Sequence, residues 1–180
     1  MNEKSTVKDV LILIGAGAFI AASLIMPGLP LAAKLFDSRF KKYNKRRLKH
    51  TLKRLYHSEL ISTKEINDEV ILTLTKKGEQ KVLKYKIDEL KITEPKRWDK
   101  KWRLVIFDIP NSKKPAREVF RELLKRLGFV QLQKSVFLQP FPCEDEIEFL
   151  RLNFGISKFV QTIIISKLEN EEFYKQKFNL

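Results

Sequence analysis

The hydrophobic pattern changes period several times along the chain, and each change predicts an element. Val10 to Ala33, VLILIGAGAFIAASLIMPGLPLAA, runs 24 residues without a charge. Its strongly apolar part, Val10–Met26, is 17 residues long, the lower edge of what a membrane-spanning helix needs. Pro27, Gly28 and Pro30 then end any helix. Two readings follow: a helix buried on most faces by its own domain or a partner subunit, and a membrane anchor over 10–26 with a basic flank behind it. The buried helix is the expectation, and no small-x-small site supports a cleaved signal. Leu31–Phe36 reads as a short second helix.

From Asn44 the period becomes helical. Leu48, Leu52 and Leu55 recur at spacings of four and three, with Lys and Arg on the other faces and Asn44 placed to cap. Leu60–Glu65 and Val70–Thr75 then read as two short strands joined at Asn67-Asp68, a β-hairpin. Lys76-Lys77-Gly78 opens another helix, with Val82, Leu83, Ile87 and Leu90 on its apolar side. The polar stretch from Thr93 to Lys100, with Pro95 as a helix stop, is the expected domain boundary. Trp98 and Trp102 are expected to pack at the domain junction.

The second half begins with a near-continuous apolar run, Arg103–Ile109, read as a buried central strand ending at Pro110. Ser112 is placed to cap a helix that tolerates Pro115 in its first turn. Ala116, Val119, Phe120, Leu123, Leu124 and Leu127 form its apolar stripe, and Gly128 closes it. Phe129–Gln133 and Val136–Gln139 read as strands, Glu144–Phe154 as a helix and Phe159–Ile165 as a fourth strand. The order β-α-β-β-α-β is the ferredoxin-like motif. The expected fold is therefore α+β, an N-terminal winged helix-turn-helix followed by a ferredoxin-like domain. The expected boundaries are 1–92, a linker 93–101, the ferredoxin-like domain 102–170 and a tail 171–180.

Composition sharpens the picture. Of 180 residues, 36 are Lys or Arg and 22 Asp or Glu, a net charge of +14. Ten of the basic residues fall between Lys34 and Arg54, where Asp37 is the only acid. That density points to a polyanion, duplex DNA first. Lys41, Lys42, Lys45, Arg46, Arg47, Lys49, His50, Lys53 and Arg54 are the candidate DNA-binding residues. The single cysteine, Cys143, excludes an internal disulfide. His50 and His57 are the only histidines, so a zinc finger is excluded as well. Gly15-Ala16-Gly17 lacks the Lys-Ser/Thr of a phosphate loop.

The spelling "LKRLYHSELI" followed by "ILTLTKKGEQ" resembles the "L..L...GLI … Y.LT..G" phrase of winged-helix regulators, with His57-Ser58 where a turn glycine is common. In the second half, "FDIP", "LGF…LQKSVF" and "PCEDEIEFL" resemble the small CRISPR-associated spacer-acquisition nuclease, and more closely the related domain of PaaX-like transcriptional repressors. The resemblance covers roughly 45–166. It implies a cytoplasmic, homodimeric regulator that binds duplex DNA sequence-specifically and dimerises through its ferredoxin-like domain.

The same resemblance implies an alternative, a Mg²⁺-dependent endonuclease. In the nuclease family a strand-end aspartate, matching Asp108, is the metal-binding and catalytic residue, and two subunits bring their copies together. A structural reading of Asp108 is that it accepts backbone hydrogen bonds in the turn before Pro110. No other cofactor and no small-molecule substrate is expected. PaaX-like repressors carry a further helical domain linked to effector sensing, so acyl-coenzyme A binding is not expected of this chain.

Overall fold

A computed structural model describes residues 3–17, 40, 43–66 and 69–180. The chain divides into two compact units, Met1–Glu89 and Leu90–Leu180.

In the first unit, helix α1 covers Glu3–Gly15 and puts Val10, Leu11 and Ile14 into the core. The uncharged run therefore starts inside a protein interior. The helix stops at Gly15, and Gly17 takes a left-handed conformation at φ 75°, so no single helix continues from Val10 to Met26. Residues 18–39, which include the rest of that run and the expected helix at Leu31–Phe36, lie outside the described residues. Among the described residues, no helix is long and apolar enough to cross a membrane.

Helix α2, Lys45–His57, follows the leucine spacing: Leu48, Leu52 and Leu55 are buried with Thr51. They meet Phe40, Tyr43 and the α1 side chains in one core. Strands β1, Ile61–Ile66, and β2, Glu69–Leu74, pair antiparallel from Ile61↔Leu74 to Ile66↔Glu69. The expected turn residues Asn67 and Asp68 lie outside the described residues. Between α2 and β1 the chain reverses at Glu59, whose φ of 58° is the left-handed value usually left to glycine.

Helix α3, Lys76–Glu89, explains the "LT..G" spelling physically. The Thr75 hydroxyl accepts from the Gly78 N–H at 3.0 Å and donates to the Glu59 carbonyl at 2.6 Å, so one side chain caps the helix and ties it to the turn after α2. Gly78 is where α3 passes the backbone just before β1: a Cβ there would lie 2.0 Å from the Leu60 carbonyl oxygen.

The second unit is the expected βαββαβ arrangement. Strands β3 (Trp102–Phe107), β4 (Val130–Gln133), β5 (Val136–Gln139) and β6 (Val160–Ile165) form an antiparallel sheet in the order β4-β5-β3-β6. Helix α4, Lys114–Arg126, joins β3 to β4, and α5, Glu144–Asn153, joins β5 to β6. This is a ferredoxin-like fold. On β3 the alternation puts Arg103, Val105 and Phe107 on one buried face, where the Phe107 ring meets Phe120 of α4 at 5.3 Å.

Three local expectations are corrected. Ser112 does not cap α4; it lies in a short 3₁₀ turn, Asn111–Lys113, and Lys113 takes the cap position without a side-chain bond. The 3₁₀ turn that follows Pro110 takes up Ser112 and leaves Pro115 in the first turn of α4. Val119 is 47% exposed rather than part of the buried stripe, because the sheet is narrow and Phe120, Leu123 and Leu124 already cover it. Trp98 and Trp102, expected at the domain junction, pack among the second unit's own aromatic side chains. Their rings pack 4.9 Å apart, and Trp102 also meets Tyr174 and Phe178 of helix α6, Glu171–Phe178. Glu171 accepts from the Trp102 Nε1 at 2.9 Å, which holds its carboxyl below the usual range.

Arg103 is 4% exposed and donates to both Asp99 oxygens and to the Lys101 and Pro140 carbonyls. Paired in this way its burial is tolerable, and the Arg103 bond keeps the Asp99 carboxyl below its ordinary value.

Candidate nucleic-acid interface

Local sequence builds the basic surface. The α2 segment KRRLKHTLKRLYH holds six Lys or Arg, two His and no acid. Its leucines occupy one face and are buried, which obliges everything else to point outward. Lys45, Arg46, Arg47, Lys49, His50, Lys53 and Arg54 are all exposed. The expected set is thus brought together on one helix, except Lys41 and Lys42, which lie outside the described residues. Asn44 caps as expected: its Oδ1 accepts from the Arg46 N–H at 3.0 Å and the Arg47 N–H at 3.3 Å.

The electrostatics of this helix run against its own stability. A helix N-terminus carries about half a positive charge and is normally lined by acids. Here the first turn has no acid and three cations, Lys45, Arg46 and Arg47. Like charges also repeat at i, i+4, as Lys45–Lys49 and Lys49–Lys53. A phosphate placed against this turn would relieve both costs. Sequence did not single out three further exposed cations: Lys64 on β1, and Lys76 and Lys77 at the start of α3. Their position flanking a hairpin was the available signal.

Asp108 belongs to the second unit, directly after β3. Its N–H donates to the Phe159 carbonyl at 2.9 Å. The carboxylate is exposed and takes no turn hydrogen bond among the described residues, so the structural reading of it is not what is observed. It lines a cavity together with Arg117, Glu118, Arg121, Lys125 and Lys134. The second acid there, Glu118, is engaged by Arg117 and Arg121. Among the described residues, no group of three His, Cys, Asp or Glu could hold a metal ion. Within one chain this donor set, a single carboxylate among cations, does not fit Mg²⁺, which is bound through carboxylates and phosphates. Cys143 is buried, and burial pushes its thiol up to about 12, the opposite of what a nucleophile needs.

Residues 95–175 match the family model of the PaaX protein central Cas2-like domain. The second unit is similar to the PaaX central domain. The match falls on the ferredoxin-like unit and includes Asp108 and the start of α6. No match was found among curated proteins.

Proposed function

We propose that this protein is a PaaX-like transcriptional regulator whose first unit is a winged helix-turn-helix, with α2 as recognition helix and the β1–β2 hairpin as wing. The single observation that carries the reading is the outward, acid-free basic face of α2, backed by buried leucines. In such a domain the recognition helix enters the major groove by its N-terminal residues. Lys45 and Lys49 neutralise phosphates, while Arg46 and Arg47 have the fork geometry to read guanine. Cytoplasmic DNA is the matching location.

The ferredoxin-like unit serves as the dimerisation platform in this reading. On the sheet face away from α4, Leu104, Ile106 and Val136 are only half-buried and Ile163 is 41% exposed. A second copy laid on that face would remove them from water. Two chains would then present two α2 helices to a two-fold symmetric operator.

The test is duplex binding as a function of salt. With five or six phosphates neutralised, log K falls with log salt at a slope of about −5. A flat profile, or no duplex binding at low salt, overturns the reading. The endonuclease alternative has no observation in its favour beyond the exposed Asp108.

A further inference from the structure

One cavity plays no part in DNA binding by α2. It lies between α4, the segment after β3 and the β4–β5 turn, measures about 530 Å³, and is lined by Asp108, Ile109, Arg117, Glu118, Arg121, Lys125, Gln131, Lys134 and Ser135. Four of these are cations and two are acids, a formal surplus of two positive charges. The two acids are not equally available to oppose an anion. Both Glu118 oxygens are taken, by Arg117 and Arg121.

The two arginines are held in place by bonds that leave donors over. Arg121 donates through Nε to the Lys134 carbonyl at 3.2 Å and through Nη1 to Glu118. Arg117 donates through Nη1 to the Ile109 carbonyl at 3.0 Å and to Asn111 Oδ1 at 3.1 Å, and through Nε to Glu118. A guanidinium has five N–H donors, and in both residues Nη2 has no partner among the described residues. The Lys134 ammonium likewise meets no acid among the described residues. Arg117, Arg121 and Lys125 follow one another at i, i+4, i+8 on α4, so each step along the row is about 6 Å.

We propose that this cavity is a binding site for a small molecule bearing two linked phosphoryl groups. Fixed guanidinium forks suit phosphate oxygens, and the row of cations suits two phosphates side by side. The volume exceeds that of a single ion and fits a ligand of nucleotide size. Ile109 is the one aliphatic side chain in the lining and no aromatic ring takes part, so recognition falls on the phosphates rather than on a stacked base or an apolar body. The proposal is independent of the DNA reading, because α2 contributes nothing to the cavity.

The experiment is calorimetric titration of the full chain with inorganic pyrophosphate, orthophosphate, ADP and a 12-nucleotide single-stranded DNA, in a phosphate-free buffer of low ionic strength. Pyrophosphate and ADP bind with one site and compete with each other, and orthophosphate binds more weakly. Lys134→Gln leaves the melting curve unchanged, since its side chain makes no contact that the fold uses, and weakens pyrophosphate about five- to tenfold. Lys167→Gln, an exposed change beyond the opposite end of β6, and Arg46→Glu/Arg47→Glu on α2 leave the affinity as it was. Absence of pyrophosphate binding overturns the proposal. So does an equal loss in Lys134→Gln and Lys167→Gln, which marks diffuse attraction to a basic protein. Binding of the oligonucleotide that depends on Lys134 and is not displaced by pyrophosphate overturns it too, in favour of a nucleic-acid strand.

Discussion

Replacing Arg46 and Arg47 by glutamate separates binding from stability in opposite directions. Both side chains are exposed, and the cap they share uses their backbone N–H groups, which the substitution keeps. Each change removes a cation from the first turn and puts an anion there, worth about 0.5–1 kcal/mol per position through the helix dipole. The carboxylate introduced by Arg46→Glu would also face Lys49 at i, i+3, adding a few tenths of a kcal/mol. The double variant is therefore expected to stabilise the first unit by about 1–2 kcal/mol, raising its melting temperature by roughly 5–10 °C for a unit of this size. Duplex affinity moves the other way. Two lost guanine contacts cost about 1–3 kcal/mol each, and two anions placed beside the DNA phosphates lower K further. Calorimetry and fluorescence anisotropy at several salt concentrations read the two effects on one preparation. Unchanged duplex affinity would refute α2 as the contact surface. Destabilisation by more than about 1 kcal/mol would refute the claim that its charges serve binding rather than packing.

Three further outcomes are expected. Gly78→Ala, which in an open helix would gain about 1 kcal/mol, instead destabilises by about 1–3 kcal/mol, because the new Cβ meets the Leu60 carbonyl at 2.0 Å; urea unfolding with a higher midpoint than the parent would contradict this. The pH profile of stability falls off at both ends. The lowered Asp99 carboxyl supports the fold above the usual carboxylate range and loses that support as pH drops through its depressed value. The Cys143 thiol, raised from 9.0 to about 12, withdraws support as pH climbs between those values, and its alkylation by iodoacetamide at pH 8 should be slow until the chain is denatured. Asp108→Ala should leave duplex affinity untouched; a Mg²⁺-dependent cleavage of DNA or RNA by the parent that this substitution removes would revive the endonuclease alternative.

Much of the molecule was legible because the deciding interactions are short in sequence. The leucine spacing of α2, the Asn44 cap and the two strands of the hairpin each rest on residues within a few positions of one another. The same holds for the order of the βαββαβ unit, since each strand and helix announces itself by its own period. The outward basic face of α2 was legible for that reason too: once three leucines are buried, a helix has nowhere to put its charges but outside.

Other features depended on groups far apart in the chain. The uncharged run predicted a buried helix but not that it would stop at Gly15, nor which side chains would cover Val10, Leu11 and Ile14. Ser112 lost the cap of α4 to the geometry of the loop leaving β3. Arg103 looked like a strand terminus but is buried, because Asp99 and two carbonyls converge on it. The cavity beside Asp108 was hidden for the same reason. Its Arg117 and Arg121 come from a helix, and Lys134 from a turn that only the β4–β5 pairing brings alongside. Sequence alone settles what backbone hydrogen bonds and side-chain period decide locally. Which distant charges share a hollow, and which buried ones find partners, is decided only when the sheet closes and removes water from between them.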